Sequence, residues 1–372
     1  MHTRYFATKT SWISSGSSHI DGTDYKDANF GKDQIIEIKK EFYNDSFDYQ
    51  TRGLVQFNLN ETGNSLSQSI VDGKITNPKF YLRMFEAEGN EALSSTYKID
   101  ARLLTEDWDE GGGKVIHRPI TTNGVSWDNR NNQMGNSETN WTTPGGQVSS
   151  TIYSSQSFSD ESPDINMNIT PIVNAWLSGG VTNSGILLRF SGSRETDSST
   201  TGKLKFFSRN THTIYPPVLE VKWDDHKPAT GSNTGSLLQI TSSGLADNYL
   251  YMIGLRDSYK ENDKIKFRVA ARKRYIQKTF STSVQTASGS YIPEGSGSYS
   301  IIDIATGETI VPFEDIDNTS YTKLSCDSKS NYFIQWLNGF YPDRIYKIIY
   351  KIKYDDGQEQ IFDNDFEFKI KR

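Results

Sequence analysis

The chain has 372 residues, enough for two domains with real cores, and is 34% hydrophobic with 20 Tyr and 19 Phe. Gly, Ser, Thr and Asn abound beside those aromatics, a composition of β-rich proteins with tight turns that excludes disorder. A net charge of −6 and a pI near 5.5 give no general attraction to nucleic acid or anionic membrane, and no apolar run approaches the ~20 residues of a membrane helix.

In chain order, residues 1–8 lack the apolar stretch of a secretory signal. Tyr5 to Ile13 reads as a strand, followed by a polar loop from His19 to Gly31. Gln34 to Lys40 and Arg52 to Leu59 alternate as half-buried strands do. Thr62 to Thr76 reads as a polar connection, and Lys79 to Glu86 and Tyr97 to Leu104 as further strands. Trp108, Trp127 and Trp141 then sit in stretches rich in Gly and Asn, so residues 105–147 form a long ordered excursion.

Next comes the strongest helix signal. Thr170 is placed to cap a helix, Pro171 suits its first position, and Ile172, Val173, Trp176 and Leu177 make one apolar stripe before Gly179-Gly180. Alternating Ile165 to Ile169 precedes it, and Gly185 to Phe190 follows as a strand buried on both faces. Gly202 to Ser208 and Pro217 to Trp223 close a first domain. Residues 224–236 have the composition of a linker.

Beyond it, strands are expected at Leu250 to Leu255, Asp263 to Ala270, Ser298 to Ile304, Thr309 to Phe313, Tyr321 to Ser325, Tyr346 to Tyr354 and Gln360 to Ile370. The last two flank Asp355-Asp-Gly357, a type I′ hairpin signal, and Asn331 to Leu337 reads as a short helix. Cys326 is the only cysteine, which excludes intrachain disulfides and cysteine-based zinc sites and fits folding in a reducing cytoplasm. The expected fold is all-β: a jelly-roll β-sandwich with one short helix over 1–223, then a smaller immunoglobulin-like β-sandwich over 237–372.

The first domain resembles the DNRLRE family, jelly-roll modules close to carbohydrate-binding modules. The matching stretches include Asn29-Phe-Gly31, Arg52-Gly-Leu-Val-Gln-Phe57, Trp108-Asp-Glu-Gly, Val125-Ser-Trp127, Trp141-Thr-Thr-Pro-Gly-Gly146, Ile169-Thr-Pro-Ile-Val-Asn-Ala-Trp176 and Pro217-Val-Leu-Glu-Val221. The second domain, through Lys323-Leu-Ser-Cys-Asp327 and Asn331-Tyr-Phe-Ile-Gln-Trp-Leu337, looks like segments of virion structural proteins of tailed bacteriophages. These likenesses imply a surface-type sandwich more than any particular ligand.

Candidate sites are few. Trp108, Trp127 and Trp141 are the residues for a sugar-stacking platform, weighed against packing of the long loop onto the sheet. Asp21, Asp24, Asp27 and Asn29 fall close enough in one loop to gather oxygens round Ca²⁺, although no Gly and Glu stand where an EF-hand needs them. Asp107, Asp109 and Glu110 raise a glycosidase pair but adjoin Gly-Gly-Gly with nothing to desolvate them. The five His are scattered, without a metalloprotease or nucleophile motif. The basic run Arg268 to Lys278, with Arg268, Arg272, Lys273 and Arg274, is a candidate interface for an acidic partner subunit. That reading is preferred over nucleic acid because the chain as a whole is acidic, and is weighed against an ordinary solvated strand, which the sequence favours. The expectation is therefore a non-enzymatic structural protein of a tailed-phage virion, at the neck, tail or fibres, assembled in the host cytoplasm. It would contact other virion proteins as a homo-oligomer, without nucleic acid, membrane or an obligatory cofactor. The alternative is a secreted or cell-surface carbohydrate-binding module with a glycan ligand.

Overall fold

Alternating apolar and polar residues make most of this chain strand, and the computed structural model is all-β with a sandwich architecture. It describes residues 1–16, 24–43, 47–59, 66–88, 97–133, 137–158, 164–196, 202–240, 248–275, 280, 282–284, 289–314, 320–354 and 357–372, with backbone only at 41–43 and 47–48. Two compact units are present. One comprises Tyr5–Glu61 and Lys79–Glu220, the other Met1–Arg4, Thr62–Pro78 and Val221–Arg372. The backbone therefore passes between units four times, at 4/5, 61/62, 78/79 and 220/221. The last passage lies close to the boundary expected at 223, but residues 1–4 and 62–78 belong to the C-terminal unit.

The strands lying wholly or mainly in the first unit are β1 (His2–Ser14), β2 (Ile35–Tyr43), β3 (Phe47–Phe57), β4 (Lys79–Met84), β5 (Glu86–Glu88), β6 (Lys98–Leu104), β7 (Asn129–Asn132), β8 (Glu138–Asn140), β9 (Val148–Ser157), β10 (Ile165–Asn168), β11 (Ile186–Phe190), β12 (Gly202–Phe207) and β13 (Val218–Lys222). The main hydrogen-bonded path runs β10–β4–β13–β1–β3–β11–β6–β9, while β2 pairs with β3 and β12, and β12 with β5. Antiparallel register places Val55 opposite Ile186, Gly53 opposite Leu188, and Leu188 opposite Ala101. These residues share one face, and Ile36 and Ile38 of β2 pack onto it. A Cβ at Gly53 would stand 2.8 Å from Ile36 Cγ2.

The opposite face of the same strands is also buried. Ile13, Leu54, Leu104 and Leu187 form a second cluster there with Trp108, Val125 and Trp141 of the 105–147 excursion. Burial on both sides explains why Ile186-Leu-Leu188 is apolar without alternation.

Helix α1 (Leu66–Val71) lies inside the expected polar connection, and α2 (Thr170–Leu177) buries Ile172, Val173 and Trp176. Thr170 is not its cap. Asn168 Oδ1 accepts the Thr170 N–H at 3.0 Å, while the Thr170 hydroxyl accepts the Phe80 N–H at 3.0 Å and ties the helix start to β4. Gly179, at φ +73, ends the helix as expected.

The second unit is a sandwich of two sheets. One contains β14 (Leu238–Gln239), β15 (Asn248–Ile253), β17 (Lys264–Lys273), β18 (Ser290–Tyr291), β21 (Ser325–Cys326) and β22 (Asn331–Trp336). The other contains β16 (Ser258–Lys260), β19 (Gly297–Asp303), β20 (Thr309–Val311), β23 (Ile345–Lys353) and β24 (Glu359–Lys371). Their core is aromatic, with Tyr299 stacked on Phe333 at 3.7 Å and Phe267 packed on Phe333 and Phe368 at 5.2 Å. Residues 331–337 are thus not a helix. Asn331–Trp336 is a strand between β17 and β21, sending Phe333 into the core between the sheets and Tyr332, Ile334 and Trp336 to the other face, where Tyr332 and Trp336 are also buried. Its run of aromatic and β-branched residues suits a pleated surface better than a helix. The pairing of β23 with β24 matches the expected hairpin, of which Asp355 and Asp356 lie outside the described residues.

Gly53→Val is expected to lower stability by about 1–3 kcal/mol, because the added branches drive into Ile36. Thermal denaturation checks this, and an unchanged midpoint would refute the packing.

Candidate functional site

Asn29 organises the 105–147 excursion. It is buried, and its carboxamide nitrogen donates to the Glu110 and Val125 carbonyl oxygens at 2.9 and 2.8 Å. Its oxygen accepts the Gly31 and Gly113 N–H groups at 3.2 and 2.8 Å. The loop glycines follow from this crowding. A Cβ at Gly113 would stand 2.0 Å from the Asn29 carbonyl oxygen, and Gly111, at φ +76, would put one 2.1 Å from that of Asn123. Glu110 braces the same junction through Lys32 Nζ at 2.7 Å, the Thr10 N–H at 3.0 Å and Arg209 Nε at 3.2 Å.

The three Trp of the sugar-platform candidate lie within the packed excursion. Trp108 and Trp141 are buried, their indole N–H groups donating to the Ser184 and Ser126 carbonyl oxygens at 2.9 and 3.0 Å. Trp127 is half-buried under the Arg52 guanidinium, 4.7 Å from its ring centre. Trp108 and Trp141 offer no open ring face to a pyranose. They pack the excursion onto the sheet.

The four residues of the Ca²⁺ candidate are placed separately. Asp21 lies outside the described residues. Asp24 and Asp27 are exposed, Asp24 accepting the Lys26 N–H at 3.0 Å and Asp27 meeting Asn129 at 3.4 Å. Asn29 spends its oxygen on two backbone donors. Burial raises the Asp128 carboxyl above the ordinary Asp value, with Asp27 and Asp24 adding to the rise. Among the described residues no group of three or more His, Cys, Asp or Glu is arranged to hold a metal ion.

In the glycosidase candidate, Asp107 and Asp109 are exposed and Glu110 is held by two cations, so no acid is paired with a base in a cleft. Cys326 is buried, and burial pushes its thiol up to about 11, which leaves it protonated and unreactive near neutral pH.

Of the basic run, Arg268 and Arg272 point outward from β17. Lys273 has the opposite parity, Arg274 follows the strand end, and residues 276–278 lie outside the described residues. Two cations that the run misses, Lys264 and Lys266, share the face of Arg268 and Arg272. Their signal was the two-residue alternation and not the local density of charge.

The first unit also carries an open groove of about 460 Å³ that no motif announced. Trp12 forms one wall, stacked on Phe30 at 3.8 Å with its indole N–H donating to Asp33 at 3.0 Å. Asp33 also accepts the Val115 N–H, and its burial raises the carboxyl above the ordinary Asp value despite both hydrogen bonds. Val115 and the exposed Ile116 make the opposite rim, beside Lys114. Tyr25, whose hydroxyl oxygen accepts from Arg118 at 2.9 Å, closes one end.

No family model and no curated protein matches the chain. Among solved structures it is similar to the apo structure of Bacteroides uniformis β-glucuronidase 3, at 9% identity and a TM-score of 0.16. That alignment covers 86% of this chain and 27% of that one, so the chain spans about a quarter of that protein's length, and a likeness at this TM-score carries no argument about function.

Asn29→Asp separates a clip from a ligand. A carboxylate cannot donate to the Glu110 and Val125 carbonyl oxygens, so the variant is expected to lose about 3 kcal/mol of stability. Calcium should not restore it. A Ca²⁺-dependent gain in melting temperature would show that this loop binds the cation.

Proposed function

We propose that this chain is a non-enzymatic structural protein that presents rigid β-sandwich surfaces to neighbouring subunits. It serves in a tailed-phage virion, at the neck, tail or fibres, and is assembled in the host cytoplasm. One observation carries the reading: side chains suited to chemistry are spent on holding loops in place. Asn29 saturates four backbone groups, Glu110 bridges three elements, and buried Glu195 binds Arg52 at 2.7 Å and Arg189 at 2.6 Å. A catalytic group must stay available to its substrate, whereas a scaffold gains from closing every such bond.

The resemblance of residues 1–223 to DNRLRE-type modules, and of the second unit to phage virion segments, supports the placement. Homo-oligomers fit it, since repeated contacts between copies add stability by mass action. Cross-linking mass spectrometry on purified particles is the test. The chain is expected in the particle, linked to other virion proteins and to its own copies. Its absence there, or cleavage of a polysaccharide by the purified chain, would overturn the reading.

The groove at Trp12 favours a second reading, a carbohydrate-binding module. Apolar Ile116 and Val115 line it together with aromatic Trp12 and Tyr25 and with polar Gln34, and such mixed surfaces suit the two sides of a sugar ring. Ile116 is exposed, so Ile116→Asp should leave folding intact and abolish any signal on a glycan array. A parent chain that binds no glycan would dispose of this reading.

A further inference from the structure

The outer face of the sheet formed by β15, β17 and β22 is ordered in columns. Residues 221–372 carry as many carboxylates as cations, yet β17 turns Lys264, Lys266, Arg268 and Arg272 to one side. Beside them β15 presents Tyr249, Tyr251 and Ile253, while β22 places Ile334 and the buried Tyr332 and Trp336 on the same side. Trp336 lies against Trp223, so that the exposed groups there are the cations Lys264 and Lys266. Neither neighbour contributes an acid. Among the described residues the one ion pair on this face is Arg268 with Asp327, at 2.7 Å. That contact holds the Asp327 carboxyl well below the ordinary carboxylate range.

The aromatic rings fix the cations. Lys266 Nζ lies 4.1 Å from the Tyr332 ring centre, Lys264 Nζ 5.3 Å from that of Trp336, and the Arg272 guanidinium 4.8 Å from that of Tyr249. Cation–π contact keeps each charge near the sheet while its outer side faces solvent. It also occupies the rings, so they are not free to stack on bases or sugar rings, as a single-stranded nucleic acid would require. What remains on offer is positive charge in a strand repeat, about 6.7 Å between alternate residues.

We propose that this face docks a protein partner through an acidic extended segment with Asp or Glu at every second residue, whose carboxylates meet Lys264, Lys266 and Arg272. An extended chain of that pattern repeats at the same spacing as β17, so its charges stay in register along the contact. The inference rests on the docking role proposed above and names the chemistry of the partner.

The test uses the full chain and a fluorescent peptide alternating Glu and Thr. A peptide of equal composition with its Glu in one block and a short oligo-dT serve as competing probes, and binding is read by anisotropy at low and high salt. The alternating peptide is expected to bind more tightly than either competitor and to weaken with salt. Lys264→Glu with Lys266→Glu should weaken it roughly tenfold or more, as inverting two docking charges would. Lys79→Glu with Lys98→Glu, the same change in net charge on exposed residues of the other unit, should not.

Equal affinity for the two peptides, or no effect of the β17 reversals at an unchanged melting temperature, would overturn the proposal. So would tighter binding of oligo-dT, or self-association of the parent that the reversals abolish, which would assign the face to nucleic acid or to a second copy. A failure here leaves the particle experiment standing. Absence from particles likewise leaves this binding measurable on the purified chain.

Discussion

The Asn29 carboxamide meets two backbone carbonyl oxygens and two backbone N–H groups, and the excursion over residues 105–147 closes around it. Each of those backbone groups is costly to bury unpaired. Because they converge on one side chain, the loop can lie against the outer face of β3, β6 and β11 and bring Trp108, Val125 and Trp141 onto Leu54, Leu104 and Leu187. The sheet is then buried on both faces. That second apolar layer depends on a residue whose geometry only an amide satisfies.

Much of this was legible before the structure. Alternation marks β2, β3, β10, β23 and β24, and unbroken apolarity marks β11, because side-chain parity follows directly from which faces are buried. The stripe of α2 and its glycine stop are equally local. What escaped depends on partners distant in sequence. β9 (Val148–Ser157) is mostly Ser and Thr and lies at the end of the strand path, where no strong apolar pattern is required. β22 mimics a short helix until β17 and β21 are seen on either side of it.

The candidate sites divide the same way. Sequence finds the residue types but not which atoms are already in use. For Trp108 and Trp141 the sequence favours core over platform, and both are buried. Asn29 reads as a possible oxygen donor, while Gly31, Gly111 and Gly113 were the better clue, since glycines facing an Asn signal close backbone approach. For β17, a dense basic run drew attention to Lys273 and Arg274, whereas the strand period selects Lys264 and Lys266. The Trp12 groove joins five separate stretches of chain, at 12–14, 25–39, 51, 114–116 and 205, and leaves no local trace.

One feature of connectivity bears on endurance. Because the chain leaves and re-enters each unit, four separate lengths of backbone link them. A single nick at any one of these passages leaves the halves tethered by the remaining three. An ordinary two-domain protein, strung on one linker, would come apart at the same cut.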